Sequence, residues 1–111
     1  KYAIPLDGDT ISAHFGHCEK FAIFEVDQKK QEIIRREFLT PPAHEPGVLP
    51  GWLADKGVNA VIAGGMGSRA QMLFKQNNIV VISGARENDP EQAVIKHVKN
   101  ELEIGQNVCD H

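Results

Sequence analysis

Hydrophobic and polar positions repeat with two different periods along the chain, and the period changes where one predicted element gives way to the next. Short runs rich in β-branched and aromatic residues, bounded by turn residues, predict strands. The predicted strands are residues 2–6, 21–26, 32–39, 59–63 and 79–82. A polar turn separates the second strand from the third, so we expect these two to form an antiparallel hairpin.

Three segments have the apolar spacing of helices. The first runs from Leu49 to Lys56 and is followed by Gly57, a common residue just after a helix. The second begins near Ser68, a predicted N-cap, and the third begins after Asp89, with a proline in its first turn. Because strands and helices alternate in the second half of the chain, the order predicts an α/β fold with a mixed sheet covered by helices.

The chain length of 111 residues fits a single domain. We expect residues 1–111 to form that domain, with residues 103–111 as a short polar tail. The net charge of -3 argues against a nucleic-acid-binding surface, and the apolar runs are too short to cross a membrane. The chain does not open with a secretory signal, and its two cysteines are far apart, so the expected location is the cytoplasm.

Residues that bind soft metals cluster in one segment after the first strand. Two histidines and a cysteine lie within five positions, and imidazole and thiolate groups suit zinc, copper and iron–sulfur chemistry. The proline-rich loop at residues 41–46 and the tail add similar residues. The candidate metal ligands are His14, His17, Cys18, His44, Cys109 and His111. No CxxC pair is present, so a metal or cluster held transiently fits better than a closed zinc site.

The alternative interpretation is a buried free cysteine beside loop histidines that only form hydrogen bonds. Position in the fold favours the metal interpretation, because open α/β sheets bind ligands at the carboxyl ends of their strands. Residues 14–18, 64–67 and 84–86 all follow such ends, and we expect them to meet on one rim. His44 would reach that rim only if the chain folds back over it. His97, the fifth histidine, is predicted to be a packed or surface residue of the last helix.

A glycine-rich turn connects the fourth strand to the second helix. The candidate cofactor-binding residues there are Gly64, Gly65, Met66, Gly67 and Arg69. Backbone amides before a helix favour anions, and Arg69 and Arg86 would add positive charge for an anionic cluster. The turn matches neither GxGxxG nor GxxxxGK[ST], so the standard nucleotide sites are not indicated. Alternatively, the glycines only allow a tight turn.

Groups suited to catalysis are few. The chain has no Ser-His-Asp arrangement, and Cys18 has no evident partner except His17, which an extended backbone would point the opposite way. A two-metal nuclease needs several carboxylates at strand ends, and only Asp7 and Asp9 are placed there. We therefore expect a binding protein and not an enzyme.

Four segments carry a family resemblance. They are HFG at 14–16, FAIFEV at 21–26, VIAGGMG at 61–67 and IVVI at 79–82. Together they resemble the dinitrogenase iron-molybdenum cofactor family of small NifX and NifB C-terminal-like domains, over most of residues 1–100. The chain departs from the family pattern at His17 and Cys18, where an arginine and a small residue are usual. This change strengthens soft-metal ligation and removes a positive charge.

The resemblance implies a ribonuclease-H-like fold, with a mixed five-stranded sheet and helices on both faces, used to carry or store an iron–sulfur or molybdenum-containing cluster. Similarity to the orange-protein type makes Mo-Fe-S and Mo-Cu-S clusters the implied molybdenum cargoes. Cys18 and Cys109 would be thiolate ligands, and the histidines would be ligands or would donate hydrogen bonds to them. The implied partners are proteins that donate and accept the cluster, and a homodimer is also compatible with the sequence.

Two other functions stay open at this point. One is an anion or phosphate-ligand sensor that uses the turn at residues 64–67. The other is a protein-interaction module without a cofactor, which would use an apolar surface around Trp52 and Phe74.

Overall fold

The computed structural model describes residues 1–12, 18–41, 48–102 and 104–105, and within these ranges the chain forms six strands and three helices. In chain order they are β1 (Tyr2–Asp7), β2 (Thr10–Ile11), β3 (Lys20–Asp27), β4 (Glu32–Leu39), α1 (Val48–Asp55), β5 (Ala60–Ile62), α2 (Ser68–Gln76), β6 (Val80–Ile82) and α3 (Pro90–Val98). All five predicted strands and all three predicted helices are present. None of the helices in these ranges is long and apolar enough to cross a lipid bilayer.

The strands form one mixed sheet in the order β4-β3-β1-β5-β6. β3 is antiparallel to both of its neighbours, β1 and β4, whereas β1, β5 and β6 run parallel. β2 is a sixth strand that the sequence did not predict, and it pairs with the end of β1 so that Thr10 lies opposite Asp7. Two residues are too few to show an alternating pattern, although the turn between these strands was recognisable.

Both faces of the sheet are buried, because successive residues of a strand point to opposite sides. On one face, Ala3 of β1 shares an apolar cluster with Leu53 of α1 and Phe74 of α2. On the other face, Ile4 shares a second cluster with Ala93 of α3. These five side chains are 0% exposed. The helices therefore cover both faces of the sheet, as predicted.

The burial of Phe74 contradicts the interaction surface suggested for it. The side chain is wholly enclosed between α2 and the sheet, so it cannot touch a partner. Trp52 is partly buried against the same cluster, with its ring centroid 6.0 Å from that of Phe21. The apolar spacing along α2 marked the face turned toward the sheet and not an outer surface.

The helix ends agree with the sequence at two positions and differ at one. Gly57 follows α1 with a φ of 81°, a left-handed conformation that glycine adopts without strain. Asp89 caps α3, since its side chain accepts a hydrogen bond from the Glu91 backbone nitrogen. The prediction of Ser68 as an N-cap is wrong, because Gly67 occupies the extended capping position and Ser68 is already the first residue of α2.

Candidate functional site

The carboxyl ends of the three parallel strands β1, β5 and β6 lie on the same edge of the sheet, which we call the carboxyl rim. The segments that follow these strands are joined by backbone hydrogen bonds. Ala85 N donates to Ala63 O at 3.1 Å, and Ile11 N donates to Asn88 O at 3.0 Å. The structure thus joins described residues that follow β1, β5 and β6 at one rim, in agreement with the prediction; residues 14–17 lie outside the described residues.

Cys18 lies at this rim as a half-buried free thiol, beside the start of β3. The next residue, Glu19, donates its backbone N–H to Leu6 O at 2.8 Å, which fixes the chain against the end of β1. The Cys18 side chain packs against the apolar cluster beneath α1 and α2. A single thiol is therefore held at the edge of the core, near the end of the central strand.

The surroundings of Cys18 raise the pKa of its thiol to about 11. Burial is the largest cause, because it disfavours the charged thiolate, and the negative charge of Asp7 acts in the same direction. A backbone hydrogen bond at Cys18 opposes them. Without a cation the group is a neutral thiol at pH 7, and a soft metal ion that binds there must displace the proton.

Asp7 and Ser12 form a pair beside the thiol that the sequence analysis did not single out. Ser12 is 1% exposed, and its hydroxyl donates to Asp7 Oδ2 at 2.9 Å. Its backbone nitrogen also donates to Pro5 O at 2.8 Å, so Ser12 continues the hairpin of β1 and β2. The turn between Asp7 and Thr10 was the available signal, because a hairpin there brings residues 7 and 12 together.

The glycine-rich turn lies at the same rim, between β5 and α2. Met66 is 0% exposed and packs in the apolar cluster on that face, so its side chain points away from solvent. Its carbonyl oxygen accepts a hydrogen bond from Gln71 Nε2 at 2.9 Å. Arg69, in the first turn of α2, is exposed. The methionine sulfur is therefore unavailable to a ligand above this turn, whereas the Arg69 side chain is open to solvent.

The position of β4 changes the expectation for His44. Leu39 pairs with Phe21 at the start of β3, so β4 ends at the carboxyl rim. The proline-rich segment, which follows β4, therefore starts at this rim. The chain does not have to fold back from another part of the molecule to bring its first residue there. His44 itself lies outside the described residues, as do His14 and His17.

The C-terminal segment is also attached to this rim. Gly105 N donates to Gly84 O at 2.6 Å, and Ile104 forms an antiparallel bridge with Ala85. Gly84 has a φ of 76°, and a Cβ atom there would lie 2.4 Å from the Gly105 oxygen. Only glycine fits this contact. Cys109 lies four residues beyond Gly105, outside the described residues together with His111.

Of the six predicted ligands, Cys18 is thus the one that lies within the described residues. Over residues 1–12, 18–41, 48–102 and 104–105, no three side chains of His, Cys, Asp or Glu are close enough to hold a metal ion. His97, in α3, belongs to the opposite edge of the sheet, where Tyr2 Oη lies 2.8 Å from its Nδ1. His97 is therefore a partly buried residue of α3, within the prediction of a packed or surface side chain.

Comparison with known proteins places this geometry in a family. The model of the family described as dinitrogenase iron-molybdenum cofactor matches residues 1–100. An uncharacterised protein of Methanocaldococcus jannaschii is 37% identical over 84 residues, which cover 73% of this chain and 71% of that protein.

Two solved structures have the same fold. The crystal structure of the protein PH0822 has a TM-score of 0.84 and 26% identity, and covers 93% of this chain and 92% of that one. The apo form of the orange protein from Desulfovibrio gigas has a TM-score of 0.73 and 18% identity, over 96% of this chain and 92% of that one. The single α/β domain with a mixed sheet is therefore shared by both.

Proposed function

The chain belongs to the dinitrogenase iron-molybdenum cofactor family, and on that premise we propose that it carries a metal–sulfur cluster at the carboxyl rim. The observation that carries the proposal is the meeting, at one edge, of Cys18 with the ends of β1, β4 and β5 and with the C-terminal segment. Every segment that holds a candidate ligand begins or ends there. The cluster is the cargo of this protein and not a group needed for catalysis.

The proposed ligands come from three segments of the rim. Cys18 and Cys109 would bind metal as thiolates. The four histidines would bind metal or donate hydrogen bonds to the ligands; they are His14, His17, His44 and His111. Gly105 is fixed to Gly84 at the same rim, and the four residues from there to Cys109 span up to about 13 Å when extended, so Cys109 would bind from this side of the rim.

The glycine-rich turn would contribute to binding without supplying a metal ligand. Amides at the start of α2 favour negative charge, and metal–sulfur clusters bound by thiolates are anionic. The amides of residues 64–67 and the exposed Arg69 would then lie against the bridging sulfides. A ligand set drawn from three loops would leave the cluster accessible, which suits a protein that receives it from one partner and gives it to another.

The finer assignments follow from the same proposal. The cargo is an iron–sulfur or a molybdenum-containing cluster, of the Mo-Fe-S or Mo-Cu-S type, and the partners are proteins that make or accept it. We place this role in the cytoplasm and assign no catalytic activity to the chain. Self-association as a homodimer is compatible with the role but is not required by it.

The test is cluster reconstitution of the full chain and of two variants. The protein is treated anaerobically with iron and sulfide, and separately with tetrathiomolybdate and copper, and then desalted. We expect visible sulfide-to-metal charge-transfer bands and a fixed metal content in the wild type. The Cys18→Ser variant should lose most of the charge-transfer absorption and most of the bound metal. Its free energy of unfolding without metal should change by less than about 1 kcal/mol, because serine and cysteine side chains are similar in size.

His97→Gln is the matched control, because it also removes a soft-metal side chain but lies on the other edge of the sheet. It should keep the full metal content. Retention of the wild-type metal content by Cys18→Ser would overturn the ligand assignment. A wild-type protein that keeps no metal under either condition would overturn the carrier function itself.

A further inference from the structure

A second concave site lies at the opposite edge of the sheet, which we call the amino rim. It is a cavity of about 300 Å³ under the C-terminal half of α3, at the starts of β1, β5 and β6. β1 separates it from the carboxyl rim, and six strand residues span about 17 Å between the first and the last. Cys18, the proposed cluster ligand within the described residues, does not line this cavity.

The wall of the cavity contains a histidine whose ring is fixed in place. His97 Nδ1 lies 2.8 Å from Tyr2 Oη, and the two rings meet edge to face with centroids 5.5 Å apart. Tyr2 is only 6% exposed, so a core residue of β1 orients the imidazole. No described residue forms a hydrogen bond with His97 Nε2, and this nitrogen is available to another molecule.

The bond between Tyr2 and His97 joins two neutral groups. Burial raises the pKa of the Tyr2 phenol and lowers the pKa of His97, so both are neutral at pH 7. The distance permits either tautomer of His97, and in the one that gives the phenol hydrogen an acceptor the Tyr2 O–H donates to Nδ1. A neutral imidazole that accepts at Nδ1 carries its proton on Nε2. His97 then offers the cavity an N–H donor.

The other polar groups of the cavity are also donors. Asn59 Oδ1 already accepts a hydrogen bond from the Lys1 main-chain nitrogen at 2.8 Å, which leaves the two N–H groups of its amide. Lys1 also borders the cavity, although its side-chain ammonium donates to Lys56 O at 3.2 Å, and the Gln28 amide can turn its NH2 group inward. No Asp or Glu of the described residues lines this cavity. Ala60 and Val80 supply apolar surface beside these donors.

We propose that this cavity binds a small organic carboxylate with a short apolar body. The carboxylate would accept hydrogen bonds from His97 Nε2 and from Asn59, and the apolar body would lie against Val80 and Ala60. A ligand of this class matches a wall of donors without a competing anion, because each donor gains an acceptor and the apolar surface is covered. The site does not depend on the proposed cluster.

The test uses isobutyrate as the probe and isobutyramide as its uncharged isostere. Each is titrated into the metal-free, 15N-labelled full chain, and the long-range proton–nitrogen spectrum of the histidine rings is recorded. We expect isobutyrate to shift the His97 Nε2 signal to saturation in the millimolar range, and isobutyramide to bind at least about tenfold more weakly. Tyr2→Phe, which frees the imidazole tautomer, should weaken isobutyrate binding about 3- to 10-fold.

Cys18→Ser is the matched control and should bind isobutyrate as the wild type does, which separates this site from the carboxyl rim. The proposal fails if His97 shows no saturable shift up to about 100 mM probe, a concentration well above the millimolar affinity expected of so small a ligand. It also fails if the amide binds as well as the carboxylate, or if Tyr2→Phe binds with unchanged affinity.

Discussion

The carboxyl rim and the amino rim belong to the same sheet, and backbone hydrogen bonds join segments at both. Gly105 N donates to Gly84 O at the carboxyl rim, and Asn59 N donates to Lys1 O at the amino rim. The two rims differ in the side chains that carry their chemistry. At the amino rim, Tyr2 and His97 bond to each other across 95 positions, which fixes one imidazole. At the carboxyl rim, the thiol of Cys18 is half-buried at the edge of the core and is left for a ligand.

A substitution at Gly84 tests the backbone contacts of the carboxyl rim and should have the largest effect on stability. Gly84→Ala introduces a Cβ at a φ of 76°, 2.4 Å from the Gly105 oxygen. We expect the free energy of unfolding to fall by about 2 kcal/mol, because the residue is strained and the C-terminal segment must move. Urea denaturation of the metal-free protein measures this loss.

Gly51→Ala is the control for that experiment, since a Cβ at Gly51 of α1 would meet no atom within 4 Å. It should raise the free energy of unfolding by about 0.5 to 1 kcal/mol through better helix propensity. Equal stabilities of the Gly84→Ala variant and the wild type would mean that the contact with Gly105 does not hold the rim together.

The hydrogen bond of the amino rim should contribute less. Tyr2→Phe keeps the ring and removes the hydroxyl that bonds to His97, and we expect a loss of about 1 kcal/mol in the free energy of unfolding. A double-mutant cycle with His97→Phe isolates the pair. Additive losses in that cycle would show that the two side chains are not coupled and that the contrast between the rims is smaller than the structure indicates.

The effect of pH on stability should be smaller than the effects of Gly84→Ala and Tyr2→Phe. Burial lowers the pKa of His97 below its ordinary 6.5, so the unfolded chain binds a proton at this site more readily than the folded one. The contribution of His97 is therefore present in full above about pH 6.5 and is lost as the pH falls through its folded pKa.

Comparison of the wild type with His97→Phe isolates this term, because the other four histidines are present in both proteins. The difference in free energy of unfolding should shrink between pH 7.5 and pH 5, values chosen on either side of about 6.5. A difference in free energy of unfolding that stays constant, or grows toward pH 5, would contradict the lowered pKa of His97.

Much of the fold was predictable from local patterns. Asp89 before Pro90 marked the start of α3, and Gly57 marked the end of α1, because caps depend on residues next to each other in the chain. The same kind of local pattern gave a wrong N-cap for α2. It indicated Ser68, but Gly67 provides the extended backbone of the cap without a side chain. β2 was missed because two residues carry no periodic signal.

The candidate site was predictable only in part. The rule that parallel strands present their carboxyl ends to one edge predicted a common rim for residues 14–18, 64–67 and 84–86, and of these Cys18 and residues 64–67 and 84–86 are described. The attachment of residues 104–105 beside Gly84 was not predictable, because it depends on how far α3 runs before the chain returns. The position of the end of β4 at the rim, where the proline-rich segment starts, was not predictable either.

The order of strands and helices and the positions of the turns follow from the sequence, and so does the prediction of soft-metal ligands in the segment that ends in Cys18, because all of these depend on neighbouring residues. Tertiary structure alone decided which residues face each other across the sheet. It buried Met66 and Phe74, paired Tyr2 with His97 and held Gly105 against Gly84. These contacts join positions distant in the chain, and their geometry arises only when both faces of the sheet are covered.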